Sequence, residues 1–126
     1  MSGFYEWQMT EAGKQPYYFT AANQRLLAIA GLYDTWKSPE GEVIHSCCLI
    51  TTHANALMQP IHERMPVILD KAGQTVWLDT QSKPEDLMAL LKPCDENTLI
   101  DYPVTKKMNN SRYDLNDAIN PLSLSD

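Results

Sequence analysis

A chain of 126 residues, 44% hydrophobic and 21% charged, holds one folded domain or part of one, with apolar side chains enough for a single core. Its formal net charge of −6 excludes a protein that coats nucleic acid indiscriminately, because such binding rests on phosphate neutralisation by Lys and Arg. A local basic groove stays compatible with that charge.

No apolar run reaches the roughly 18–20 residues that span a bilayer. Met1 to Trp7 lacks the basic start and long apolar core of a signal peptide. Three cysteines, Cys47, Cys48 and Cys94, point to a reducing compartment over a disulfide framework. A cytoplasmic protein without membrane contact is expected.

Phe4 to Gln8 and Gln15 to Thr20 are β-prone runs around a loop in which Gly13 can supply positive φ, which predicts a hairpin. Strand character so close to Met1 is unusual, since chain ends fray, and suggests sequence upstream. Ala21 to Gln24 reads as a turn into Arg25 to Tyr33, a nearly all-apolar run expected to be a strand covered on both faces. Trp36 to Gly41 reads as a polar loop, and Val43 to Thr51 as a long strand antiparallel to the one before it. Cys47 and Cys48 then point to opposite faces, and both are expected to be buried and structural. Cys94, behind Pro93, is expected to be inert.

Ala54 to Met58 reads as one helical turn that Pro60 stops, which leaves His62 in irregular backbone. Pro66 restricts Met65 to extended geometry and launches a strand over Val67 to Leu69. Ser82-Lys83-Pro84-Glu85 reads as a capping box with Pro in the first turn. Leu87, Leu90 and Leu91 follow at helical spacing until Pro93. Leu99 to Val104 is a last strand, and from Asn109 onward the polar chain is expected to be irregular. The sum is an α+β domain, mainly antiparallel β, with a few short helices.

Groups able to do chemistry are densest in Ile61-His62-Glu63-Arg64-Met65-Pro66. An imidazole titrating at about pH 6.5 can move a proton under ordinary conditions. Arg64 offers a planar fork of donors suited to phosphate, with an ion pair to Glu63 or Asp70 as the competing role. Near the N-terminus, Glu6 alternates to the strand face opposite Tyr5 and Trp7. A carboxylate beside apolar surface has its charged form disfavoured, which tunes it toward proton transfer. Lys106, Lys107 and Arg112 form the one basic cluster and read as a solvated face. His45, Cys47 and His53 lack the paired spacing of a zinc site, so neither a metal nor a cofactor is expected.

Taken together these blocks resemble the SOS response-associated peptidase (SRAP) family. Ser2-Gly3-Phe4-Tyr5-Glu6-Trp7 resembles its glycine-aromatic-aromatic-Glu-Trp motif, and Lys14-Gln15-Pro16-Tyr17-Tyr18 the strand that follows. Ala30-Gly31-Leu32-Tyr33-Asp34-Thr35-Trp36 resembles the next block, and Thr51 to Leu69 the most diagnostic one. Pro103-Val104-Thr105 with Asn109-Asn110 resembles the C-terminal block. The resemblance implies a bifurcated sheet forming a pseudo-barrel with a groove for DNA. It also implies recognition of abasic sites in single-stranded DNA and a covalent thiazolidine between the opened sugar aldehyde and an N-terminal cysteine. Peptidase-like removal of the initiator Met comes with it. Glu6 and His62 take the catalytic positions, for crosslink chemistry and sugar ring opening. Trp7, Thr51 and Arg64 take positions at the DNA, where an indole can stack and a hydroxyl or guanidinium can meet phosphate.

The family's first half, with its Met-Cys-Gly-Arg start, has no counterpart here, and residue 2 is Ser2. Residues 1–126 therefore resemble the C-terminal half of an SRAP domain and are expected to be a partial domain. Two alternatives follow. One is a non-catalytic half-domain without crosslinking activity, pairing with a separate N-terminal half or with a second copy. The other is a cysteine hydrolase using Cys47 or Cys48 with His62.

Overall fold

The structure, a computed structural model, describes residues 1–123. Among these residues six strands come first, β1 (Gly3–Thr10), β2 (Gly13–Ala21), β3 (Gly31–Lys37), β4 (Val43–Leu49), β5 (Thr51–His53) and β6 (Arg64–Pro66). Two helices, α1 (Lys71–Leu78) and α2 (Pro84–Met88), then lead to β7 (Leu99–Pro103). Among the described residues all strand pairing is antiparallel, in three sheets: β1-β2-β7, β3-β4 and β5-β6. The fold is α+β and mainly antiparallel β.

The predicted N-terminal hairpin forms, in register from Gly3 opposite Thr20 to Thr10 opposite Gly13. Gly13 holds φ at 97°, a conformation that costs any side-chain-bearing residue. The ladders meet at a fork. Ala30 N–H donates to the Val67 carbonyl, Ile50 N–H to Ala30 and Val67 N–H to Ile50, each at 2.9 Å. From this three-way junction β3-β4 leaves in one direction and β5-β6 in another, so the sheet is bifurcated. The ladders stay open at their edges among the described residues.

Alternation along β1 sets the core. Phe4 stacks on Phe19 of β2 with ring centroids 5.2 Å apart, and Phe19 joins Met58, Met65, Leu27, Ile68 and Leu99 in one buried cluster. That cluster fixes the 54–66 segment against the inner face of β1-β2-β7. Deleting a fully buried Met or Phe side chain in such a core costs about 2–5 kcal/mol.

Several local expectations give way. Arg25 to Tyr33 is not one covered strand: β3 begins only at Gly31, Ile29 makes an isolated bridge, and Leu26, Leu32 and Tyr33 are exposed. β3 runs on through Trp36, which was expected in a loop. The long strand from Val43 breaks at Ile50, where the fork takes its hydrogen bonds. Val67 to Leu69 forms a single bridge, Ile29 to Ile68, and the strand lies earlier, at β6. Ser82 does not cap α2. Its hydroxyl donates to the Val76 carbonyl at 2.7 Å, closing the end of α1, and α2 stops at Met88.

The chain after Asn109 carries a 3-10 turn at Asn116–Ile119 with Ala118 buried. The last three residues of that expected irregular tail lie outside the described residues. No helix among the described residues is long and apolar enough to cross a membrane.

Candidate functional site

The inner face of β1 presents Phe4, Glu6 and Gln8. Phe4 goes to the core, and the other two meet the 54–66 segment. That segment is shaped by Asn55, whose side-chain oxygen accepts from Met58 N–H at 3.0 Å while its amide donates to the Cys94 carbonyl at 3.2 Å. The resulting turn runs to Ile61. His62 N–H donates to the Met58 carbonyl at 3.0 Å, and the Gln8 amide donates to Pro60 at 2.9 Å. His62 is thereby held over β1.

There His62 Nε2 lies 3.9 Å from a Glu6 carboxylate oxygen, with the side chains 41% and 24% exposed. Partial burial pushes the Glu6 carboxyl above its ordinary value, opposed by the neighbouring His62 and by a backbone hydrogen bond from Trp7. Desolvation wins, as the sequence reading of Glu6 anticipates.

The other ring nitrogen explains how the imidazole keeps its orientation. Nδ1 is 3.1 Å from the Arg64 N–H and 3.0 Å from the Arg64 carbonyl. A neutral ring accepts from the N–H and carries its proton on Nε2, toward Glu6. A protonated ring donates from Nδ1 to the carbonyl instead. Both states keep one pose, which suits a group that gains and loses a proton.

Arg64 completes the corner. Its Nη2 donates to the Thr51 carbonyl at 2.9 Å and to the Thr51 hydroxyl at 3.1 Å. The alternative ion pairs to Glu63 or Asp70 are absent among the described residues. Held this way on an exposed ladder, the guanidinium keeps further donors free for an anion. Glu6, His62, Arg64 and Thr51 thus form one continuous corner.

Trp7 does not join it. Alternation puts Trp7 on the other face of β1, where its indole N–H donates to the Asn109 side chain at 2.8 Å and its ring lies 6.4 Å from Tyr5. Tyr18 and Tyr102 continue that aromatic row. Asn109 closes the 3-10 turn at Lys106–Asn109, so the basic cluster borders this outer face, with Lys107 5.7 Å from the Tyr113 ring centroid. The roles of Asn55, Gln8 and Asn109 are absent from the sequence reading. Asn55 alone had a legible signal, an Asn ahead of a Pro-stopped turn.

Cys47 and Cys48 are exposed, not buried, because the β3-β4 ladder is uncovered on both faces. Neither thiol contacts His62, whose ring nitrogens face Glu6 and Arg64. Cys94 is half-buried, and burial raises its thiol pKa. No three His, Cys, Asp or Glu side chains among the described residues converge to hold a metal.

Residues 1–111 match the family model described as SOS response associated peptidase (SRAP). The abasic site processing protein YoqW of Bacillus subtilis is 38% identical over 111 residues, covering 86% of this chain and 50% of YoqW. The abasic site processing protein HMCES of Xenopus tropicalis is 39% identical over 130 residues, covering 87% of this chain and 38% of HMCES. An X-ray structure of a protein from Bacteroides thetaiotaomicron superposes with a TM-score of 0.88 at 28% identity, over 97% of this chain and 54% of that one. The chain spans about half the length or less of these relatives. With five sequence blocks, the fork and the fold in agreement, it belongs to the SOS response-associated peptidase family.

Proposed function

We propose that this chain carries the proton-moving and phosphate-gripping corner of an abasic-site processing protein that acts on single-stranded DNA. The observation that supports it is the unbroken run of contacts Glu6–His62–Arg64–Thr51 on an open surface. An opened abasic sugar is an aldehyde between two phosphates. Ring opening and capture of that aldehyde need protons delivered and removed, the work assigned to His62 and Glu6. Arg64 and Thr51 hold a neighbouring phosphate. Trp7 stacks on a base or sugar further along the strand. The name abasic site processing protein, borne by YoqW and HMCES, supports the substrate class, and three free cysteines suit a reducing, cytoplasmic setting.

A thiazolidine needs the α-amine and thiol of one N-terminal cysteine. Cys47, Cys48 and Cys94 are internal, so the 126-residue polypeptide binds the lesion without crosslinking to it. Lyase-like or peptidase-type hydrolase activity by way of such a cysteine is therefore not assigned to these 126 residues.

Fluorescence anisotropy tests this, with single-stranded DNA carrying a central tetrahydrofuran abasic analogue against the same strand intact. The analogue strand binds more tightly. Arg64→Ala lowers affinity by about tenfold and the salt slope, d log K/d log[salt], by about 0.7, the value for one lost phosphate contact on a single strand. With a natural abasic site, a denaturing gel shows no adduct. Equal binding of both strands sinks the abasic reading, and a stable adduct sinks the non-crosslinking part.

A further inference from the structure

We infer that His53 is a third phosphate-contacting residue of the corner, forming with Arg64 and Thr51 one anion site on the exposed face of β5-β6. The inference rests on the DNA reading above and deepens it.

The two short strands sort their side chains by face. Thr52 pairs with Met65, and both are buried. Alternation puts Thr51, His53, Arg64 and Pro66 on the opposite face, where Thr51, His53 and Arg64 are exposed. These four residues bring two basic side chains, one hydroxyl and no carboxylate. His53 stands directly opposite Arg64 in the ladder, so their Cβ atoms are close neighbours. Two basic groups in that relation repel one another when both are charged. An anion held between them turns the repulsion into attraction. Glu63, beside Arg64 in the chain, forms no ion pair with either of them among the described residues.

The orientation of the ring has a local cause. Among the described residues the hydroxyl of buried Thr52 has one partner, His53 Nδ1 at 3.5 Å. A buried hydroxyl needs a partner. When it donates to Nδ1, the neutral imidazole carries its proton on Nε2. Nε2 makes no hydrogen bond among the described residues and is left to donate to a ligand. Arg64 is matched to it, because Thr51 occupies only Nη2 and leaves the donors on Nε and Nη1. Imidazole and guanidinium can therefore meet the oxygens of one phosphate together.

The test is fluorescence anisotropy of the 126-residue chain with the tetrahydrofuran strand and the same strand intact. His53→Ala lowers affinity for both by about fivefold. His53→Lys places a permanent cation there, binds at least as tightly as the parent and steepens the salt slope by about 0.7, the value of one added phosphate contact. A ring that only supports Thr52 would give neither gain. His53→Ala combined with Arg64→Ala loses less than the product of the two single losses, because both side chains hold one phosphate. Inorganic phosphate is a probe free of any lesion. In NMR spectra of the imidazole nitrogens it shifts the His53 Nε2 resonance of the parent and leaves that of Arg64→Ala in place. If the two strands bind alike while His53→Ala still weakens both, the abasic reading falls and the anion site is supported. Preference for the analogue with affinity unchanged in His53→Ala overturns the inference alone. A His53→Lys slope no steeper than the parent's, or an imidazole that phosphate leaves unmoved, overturns it as well.

Discussion

Glu6 is a carboxylate that the fold holds at some cost. Burial raises its pKa above the ordinary 4.5, so the folded chain holds the proton more tightly than the unfolded chain does. The stability linked to that proton is complete below the unfolded pKa and is lost as pH rises through the folded one. Asp101 is raised by burial too and adds to the same slope. Glu6→Gln removes the charge that must be desolvated at neutral pH. It is expected to raise the melting temperature at pH 7 and to flatten the decline that sets in as pH rises past the ordinary value of 4.5. Asp101→Asn added to it flattens the decline further. A Glu6→Gln protein that melts lower at pH 7 with an unchanged slope refutes this account. A gain in stability on removing Glu6 would be in keeping with its candidate role in proton transfer. The sequence made this residue legible through strand alternation, since Tyr5 and Trp7 force Glu6 to the other face. His62 was legible as a candidate site residue, whereas its Nδ1 clamp on Arg64 depends on a turn that no local signal encodes.

At the scale of elements, the site depends on one turn. Asn55 begins it with a side-chain acceptor for Met58 N–H and anchors it to Cys94, while its backbone N–H points at the Met65 sulfur at 3.3 Å. Asn55→Ala leaves the Met58 N–H and the Cys94 carbonyl without these partners, at a cost of about 1–3 kcal/mol. Thermal melting should register the loss, and the amides of Ile61 and His62, which close the turn onto Met58, should exchange faster. Asn55→Asp keeps the acceptor and gives up the donor to Cys94, so it falls between the two. An Asn55→Ala protein as stable as the parent, with the two amides still slow, would contradict the argument. Sequence periodicity read this stretch as one helical turn stopped by Pro60, whereas the turn is set by Asn55 and runs on through Pro60 to Ile61. It missed α1 altogether. Gly73, Thr75 and Val76 depress helix propensity there, although Asp70 is a sound N-cap whose carboxylate accepts from Gly73 N–H at 2.7 Å. The misread Ser82 has the same origin: a cap-like residue is claimed by the end of the helix before it.

Across the whole molecule, stability is divided unevenly, and the division follows burial. The β1-β2-β7 sheet rests on Phe19, Met58 and Met65, all fully buried. The β3-β4 ribbon has hydrogen bonds along its length but no apolar layer on either face. The apolar run Arg25 to Tyr33 looked in sequence like a doubly covered strand, but β3 begins only at Gly31, and Leu32 and Tyr33 are exposed. Composition alone cannot reveal it, because an exposed apolar ribbon and a buried core strand use the same residues. Local opening free energies span from near zero to the global value, and segments with few buried apolar contacts sit at the low end. The 126-residue chain alone should therefore show two classes of amide exchange. Amides of Tyr18 and Phe19, within the covered sheet, exchange at the rate of global unfolding. Those of Trp36 and Ile44, paired across the ribbon, exchange orders of magnitude faster through its opening, with the fork residues Ala30, Ile50 and Val67 at the boundary between the classes. Uniform slow exchange in dilute solution would mean the ribbon draws its stability from within, and the uncovered faces would then be a feature of a self-sufficient fold.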